Sequence, residues 1–164
     1  MPDVKNVILT EVTNPLYKKR KLGNTMATFC NFFVANTLCK ITGRYDLFRR
    51  NGIIPYSANA MLNVLVEHSF FKQINLADVK QVVKNGGVVI CGCKRDRHGH
   101  VAFVVDGDWE YSTTHKMRLP KVANVGSENS TRKLSWFFRS TDDIWYFECK
   151  MTNMPVDIDP VKYI

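Results

Sequence analysis

The strongest constraint on the fold is a change of hydrophobic pattern at Asn85-Gly86-Gly87. Before it, apolar residues recur at helical spacing, and after it they fall into short β-branched and aromatic runs separated by polar turns. Two glycines after an asparagine end a helix. We therefore expect an α+β fold, in which N-terminal helices pack on an antiparallel sheet of about five to six strands.

Three helices are predicted in the first half. The first lies in TMATFCNFFVANTLCKITG, with Thr25 or Thr28 as N-cap and Gly43 as the stop. The second starts at Ser57 and runs through ANAMLNVLVEHSF, and the third is LADVKQVVK.

The second half predicts the sheet. VVICGCK and HVAFVV are expected to be neighbouring antiparallel strands joined by the polar loop Arg95–Gly99. Asp106-Gly107 is expected to form a tight turn into the strand DWEYS. The segments KVANVG, SWFF and IWYFEC supply the remaining strands.

The length of 164 residues suits one hydrophobic core, so residues 1–164 are expected to form a single domain. Residues 1–24 are expected to be an arm across it, with a strand at Val7–Thr10 and a turn at Asn14-Pro15. No apolar run approaches the ~18–20 residues of a membrane span. The N-terminal stretch lacks the pattern of a signal peptide. We therefore expect synthesis in the cytoplasm, with export by a holin, an injection machine or host lysis if the substrate lies outside.

The formal net charge is +8, which favours anionic partners through long-range attraction. The basic residues are scattered except at Lys18–Lys21 and Lys94–Arg97, and no aromatic-interleaved nucleic-acid motif accompanies them. No specific nucleic-acid partner is therefore expected.

The five cysteines have no disulfide-framework spacing, and most are expected to be buried, reduced thiols. Cys30 differs because it lies near the start of the first predicted helix. There, unpaired amides and the helix dipole stabilise a thiolate, as a nucleophile requires. Cys39 lies late in the same helix and is expected to be inert.

His100 is the candidate base, since it opens the strand HVAFVV directly after Gly99. A glycine at that position permits close backbone approach and leaves room for the imidazole to face the cysteine. His98 is a rival base in the loop, whereas His68 and His115 are expected to be surface or packing histidines. Alternatively, CGCKRDRHGH contains four possible zinc ligands, but its spacing is not that of paired Cys-x-x-Cys knuckles.

Several motifs occur together in this order: TFCNFFV, GGVVICGCK, GHVAFVVDG, Pro120, the segment ANVGSEN at Ala123–Asn129, and Phe137-Phe138 followed by IWYFE. Together they resemble the CHAP family of cysteine, histidine-dependent amidohydrolases and peptidases, which includes phage endolysins and related lysis or toxin proteins. The resemblance spans roughly Thr28 to Glu148.

The resemblance implies a papain-like hydrolase of bacterial peptidoglycan that needs no cofactor, with Cys30 as nucleophile and His100 as base. It places the enzyme in the periplasm or cell wall, and an injected toxin would have a cognate immunity protein. The family adds a polar residue that orients the histidine. Asn124 is preferred here because its carbonyl can accept the imidazole proton, while Glu128, Asn129 and Asp106 remain open.

Trp109 and Tyr111 alternate on one strand and are candidates for lining a substrate groove, or for packing on the sheet. The alternative functions are a cysteine protease or deamidase acting on a protein, and a basic, non-enzymatic binding module with or without zinc.

Overall fold

The computed structural model describes residues 3–22, 25–27 and 29–150, with the backbone alone described at 20–22, 25–27 and 106–108. Its helices and strands in chain order are α1 (Val4–Val12), β1 (Arg20–Leu22), β2 (Thr25–Ala27), α2 (Cys30–Thr42), β3 (Arg49–Arg50), β4 (Ile54–Pro55), α3 (Ala58–Glu67), β5 (Phe71–Ile74), α4 (Leu76–Lys84), β6 (Val88–Cys93), β7 (His100–Ser112), β8 (Met117–Asn124), β9 (Ser130–Lys133) and β10 (Trp145–Cys149). Short 3₁₀ turns lie at Pro15–Tyr17 and Leu134–Trp136. The predicted α+β class is confirmed.

The main sheet has six strands in the order β5-β10-β6-β7-β8-β9, and every neighbouring pair is antiparallel. The last strand, β10, lies between β5 and β6, so the end of the described chain forms an interior strand of the sheet. The pairs β1–β2 and β3–β4 form two separate small hairpins.

Two apolar layers cover the sheet. Helices α1, α2 and α3 pack on one face, against residues such as Ile90, Val101 and Phe103. Helix α4 and the turn Leu134–Trp136 cover the other face, against residues such as Cys91 and Ala102. Both faces of β6 are therefore buried, which explains its uninterrupted apolar sequence VVICGC.

Helix α2 is fixed on β7 by an edge-to-face contact of Phe33 and Phe103, with ring centroids 5.6 Å apart. Both rings are fully buried. The predicted stop at Gly43 is present, since this residue has φ of 71° and its N–H bonds the Cys39 carbonyl. Ser57 is the N-cap of α3, as predicted, and accepts the N–H of Ala60.

The expected strand at Val7–Thr10 is wrong, because this segment lies in helix α1. Asp3 caps the helix by accepting the Asn6 N–H at 3.2 Å. Ile8 and Val12, one turn apart, are buried in the core with α2, and Glu11 pairs with Lys40 of α2 at 2.6 Å. The segment that was expected to be an arm thus contributes a packed helix.

Two further expectations on the strands are wrong. The backbone at Asp106-Gly107 does not turn but continues β7, and shifts in the pairing with β8 absorb the irregularity. In SWFF, Ser135 and Trp136 lie in a 3₁₀ turn instead of a strand. Among the described residues, no helix combines the length and hydrophobicity needed to cross a bilayer.

The contribution of α1 to the core can be tested with Ile8→Ala. Ile8 is 2% exposed, so its truncation is expected to lower the free energy of unfolding by about 2–4 kcal/mol, measured by urea denaturation. The matched control is Leu16→Ala, at a side chain that is 67% exposed, where a change within about 0.5 kcal/mol is expected. Equal effects of the two substitutions would contradict the packing of α1.

Candidate functional site

Cys30 is the first residue of α2, and the N-cap is Phe29. Neither expected threonine is the N-cap: Thr25 lies in β2, and Thr28 falls outside the described residues. The Phe29 side chain forms no capping hydrogen bond, so the amides of the first helical turn remain available to another acceptor. Cys30 is therefore one position closer to the helix start than expected.

The Cys30 thiol is buried, with 7% of the residue exposed. Burial raises the pKa of the thiol, while hydrogen bonds from the backbone N–H groups of Val101, Asn31 and Cys30 itself act to lower it. These donors lower the pKa because they stabilise the thiolate. Val101 directly follows His100, so the start of β7 lies beside the Cys30 sulfur.

His100 opens β7, and its ring has two neighbours that hold it. Nε2 lies 2.5 Å from Oδ1 of Asn124, and the ring packs on Phe138 with centroids 5.1 Å apart. The Asn124 Nδ2 donates to the carbonyl of Glu128 at 2.9 Å, which turns Oδ1 toward the imidazole. In the neutral ring Nε2 therefore carries the proton, and Nδ1 is left as the acceptor.

The pKa of His100 is lowered to about 4, chiefly by burial, although the hydrogen bond to Asn124 acts to raise it. The imidazole is therefore neutral near pH 7. A neutral imidazole with a free acceptor nitrogen is the form that a general base requires.

Of the four candidates for the orienting residue, Asn124 forms the hydrogen bond to His100. Asn124 is only 1% exposed at the end of β8, so its amide cannot be satisfied by water. The Glu128 carboxylate instead pairs with Arg132 of β9, and Asn129 accepts the Gly126 N–H. The side chain of Asp106 lies outside the described part of the structure.

Trp109 and Tyr111 are not brought to this site. Trp109 follows His100 by nine residues on the same strand, a separation of roughly 30 Å in extended chain. Trp109 packs against the apolar layer that contains α4, and Tyr111 is 56% exposed. The position of Trp109 fits the packing interpretation of these aromatic residues. Trp109 and Tyr111 both lie too far along β7 to contact a carbonyl group attacked by Cys30.

The remaining histidines and cysteines do not converge. His98 lies exposed in the loop before β7, whereas Cys91 and Cys93 are buried in the layer under α4. Across residues 3–22, 25–27 and 29–150, no group of three or more side chains is placed to hold a metal ion. His68 accepts the Phe70 N–H at 3.1 Å, a local structural contact.

Sequence reasoning missed two charged residues beside the site, Arg95 and Asp142, which form an ion pair with a shortest distance of 2.6 Å. Arg95 lies in the basic run Lys94–Arg97, and Asp142 lies in the polar segment before β10. Phe138 was noticed only as part of an aromatic pair, and its role as the neighbour of His100 has no local signal.

Protonation of His100 is expected to destabilise the fold. Its pKa is about 4 in the folded protein against an ordinary 6.5, so between these values the unfolded chain binds more protons and the free energy of unfolding rises with pH. This contribution is complete above pH 6.5 and is lost as the pH falls toward 4. His100→Gln is expected to remove up to about 3 kcal/mol of this pH dependence, measured by urea denaturation at pH 4.0 to 7.5. The exposed His98→Gln is the control, and an unchanged slope in the His100 variant would contradict the assignment.

Neither a scan against protein-family models nor a search of curated proteins finds a match to this chain. Its function is therefore inferred from the surroundings of Cys30 and of His100.

Proposed function

We propose that the protein is a papain-like cysteine hydrolase that cleaves an amide or peptide bond of bacterial peptidoglycan. The observation that carries the proposal is the His100–Asn124 hydrogen bond at the start of β7, next to Val101, whose backbone N–H acts to lower the pKa of the buried Cys30 thiol. A nucleophile, a base and a group that orients the base are the components of thiol-dependent acyl transfer.

The substrate class is supported by different observations. The order of the motifs resembles the CHAP family, whose members act on peptidoglycan. The net charge of +8 also favours approach to an anionic cell wall. On this proposal the enzyme is made in the cytoplasm and acts in the periplasm or wall after release by a holin or injection, with an immunity protein in the second case.

The reaction begins with a neutral thiol and a neutral imidazole. Nδ1 of His100 takes the thiol proton while the sulfur of Cys30 bonds to the substrate carbonyl carbon. The C–N bond then breaks, and the imidazolium gives its proton to the departing amine, leaving a thioester. Water attacks the thioester, His100 takes and returns a proton, and the acid product leaves with the thiol restored.

Charge that develops on the carbonyl oxygen needs donors that are already in place. The backbone N–H groups at the start of α2, including that of Cys30, have no side-chain cap. Such fixed donors stabilise an oxyanion without reorganising. On this proposal the oxyanion binds the backbone N–H groups of this first turn.

The nucleophile is tested by adding purified protein to peptidoglycan sacculi. Wild type is expected to release soluble fragments, and Cys30→Ala to slow release by at least ~1,000-fold because no acyl-enzyme can form. Cys39→Ala, in the same helix but far from the first-turn amides, is the control and should retain activity. Mass analysis of the fragments identifies the bond. If the Cys30 variant keeps full activity, the nucleophile is wrong; if wild type leaves sacculi intact but cleaves proteins, the substrate class is wrong.

The orienting role is tested at Asn124. Asn124→Ala removes the acceptor and is expected to lower the initial rate about 10- to 100-fold. Asn124→Asp restores an acceptor of the same shape, and its carboxylate should raise the pKa of His100. Activity should therefore partly return, with the acidic limb of the pH–rate profile moved to higher pH. An Asp variant that is as slow as the Ala variant at every pH would contradict the orienting role.

A further inference from the structure

Arg95, two residues after the end of β6, forms a two-point ion pair with Asp142. Arg95 Nη2 lies 2.6 Å from Oδ2, and Nε lies 3.2 Å from Oδ1. The Asp142 side chain is only 7% exposed and also accepts the Arg139 N–H at 2.7 Å. A bidentate pair with a largely buried carboxylate differs from a fully exposed surface pair, which contributes little.

The position of Arg95 is fixed by its backbone as well. Asn59 of α3 donates to the Arg95 carbonyl at 2.8 Å and accepts the Arg95 N–H at 3.3 Å. The close contact is possible because Gly99 has no side chain: a Cβ there would lie 2.2 Å from Asn59 Oδ1. The guanidinium is therefore held between α3 and the segment before β10.

The pair also determines what lies behind the imidazole. Arg95 Nη2 approaches the Phe137 carbonyl at 3.5 Å, and the next residue, Phe138, packs its ring on His100. Phe138 is 2% exposed, so its place depends on the chain around it. By tying residues 137–142 to the end of β6, the ion pair holds Phe138 against the histidine.

The charges of the pair act on both reacting groups. Arg95 acts to lower the pKa of Cys30 and of His100, and Asp142 acts to raise the pKa of His100. The side chain that hydrogen-bonds the ring, Asn124, is neutral.

We propose that Arg95 and Asp142 are positioning residues for the Cys30–His100 site. The ion pair holds Phe138 behind the imidazole, and the Arg95 guanidinium supplies positive charge to the thiolate formed during attack. This role rests on the proposed function, since it assumes that Cys30 is the nucleophile.

The test measures the rate of Cys30 carboxamidomethylation by iodoacetamide as a function of pH, with Cys30 followed by peptide mass spectrometry. No substrate is involved, so the result is independent of the peptidoglycan assignment. The variants are Arg95→Gln, Arg95→Lys, Asp142→Asn and the double variant Arg95→Gln with Asp142→Asn. Arg97→Gln, an exposed arginine in the same loop, is the control.

Arg95→Gln is expected to move the midpoint of the alkylation profile up by about half to one pH unit, because the thiolate loses a nearby positive charge. Asp142→Asn should move it down, because Arg95 is no longer neutralised. The double variant has no carboxylate left without its arginine, so it is expected to fold even if Arg95→Gln does not. Its midpoint should also rise, because the Arg95 charge is absent. Arg95→Lys keeps the charge and should keep the midpoint near wild type, whereas Arg97→Gln should change nothing.

Sacculus digestion separates positioning from charge. Arg95→Lys and Asp142→Asn are each expected to slow digestion about 10-fold or more, since both lose the two-point pairing that holds Phe138. Folded variants with an unchanged midpoint would overturn the proposal and leave the proposed function standing. The predicted midpoint shifts in a protein that does not digest sacculi would support the action of the Arg95–Asp142 charges on Cys30 and reject the substrate.

Discussion

The site depends on the packing of α2 against β7. Phe33 lies one turn after Cys30 on the same side of the helix, and Phe103 lies on the same face of β7 as Val101. The contact of the two rings therefore sets where the helix start meets the strand start. Because both rings are fully buried, the position of the thiol is fixed by the same free energy that stabilises the core. A protein that loses this packing loses the site as well.

Local signals in the sequence predicted most helices. Ser57 and Gly43 mark helix ends through their own side chain or backbone, so no distant residue is needed to recognise them. Helix α1 was mistaken for a strand because VILT is short and β-branched, and what decides its state is burial of Ile8 and Val12 under α2. The Asp-Gly pair at the middle of β7 is a turn signal that tertiary pairing overrides.

The candidate site residues that have local signals could likewise be predicted from the sequence. Cys30 and His100 are recognisable because a helix start and a glycine-preceded strand are local features. Asn124 stayed one of four possibilities, since the sequence does not show which polar group at the end of β8 reaches the ring. The Arg95–Asp142 pair spans 47 positions along the chain, so no periodicity or motif connects its members. The two residues meet because Arg95 follows β6, Asp142 precedes β10, and these two strands are neighbours in the sheet.

The protonation state of the site restricts how it works. Burial favours the neutral forms of both the Cys30 thiol and the His100 imidazole. On the proposed function, negative charge develops only as the sulfur attacks, and the amides at the start of α2, the Val101 N–H and the Arg95 guanidinium act to stabilise it. Cys30 is only 7% exposed, so the group that carries the substrate carbonyl must be narrow to reach the sulfur. On the proposed function, an extended peptide of the kind that crosslinks a bacterial wall meets that requirement.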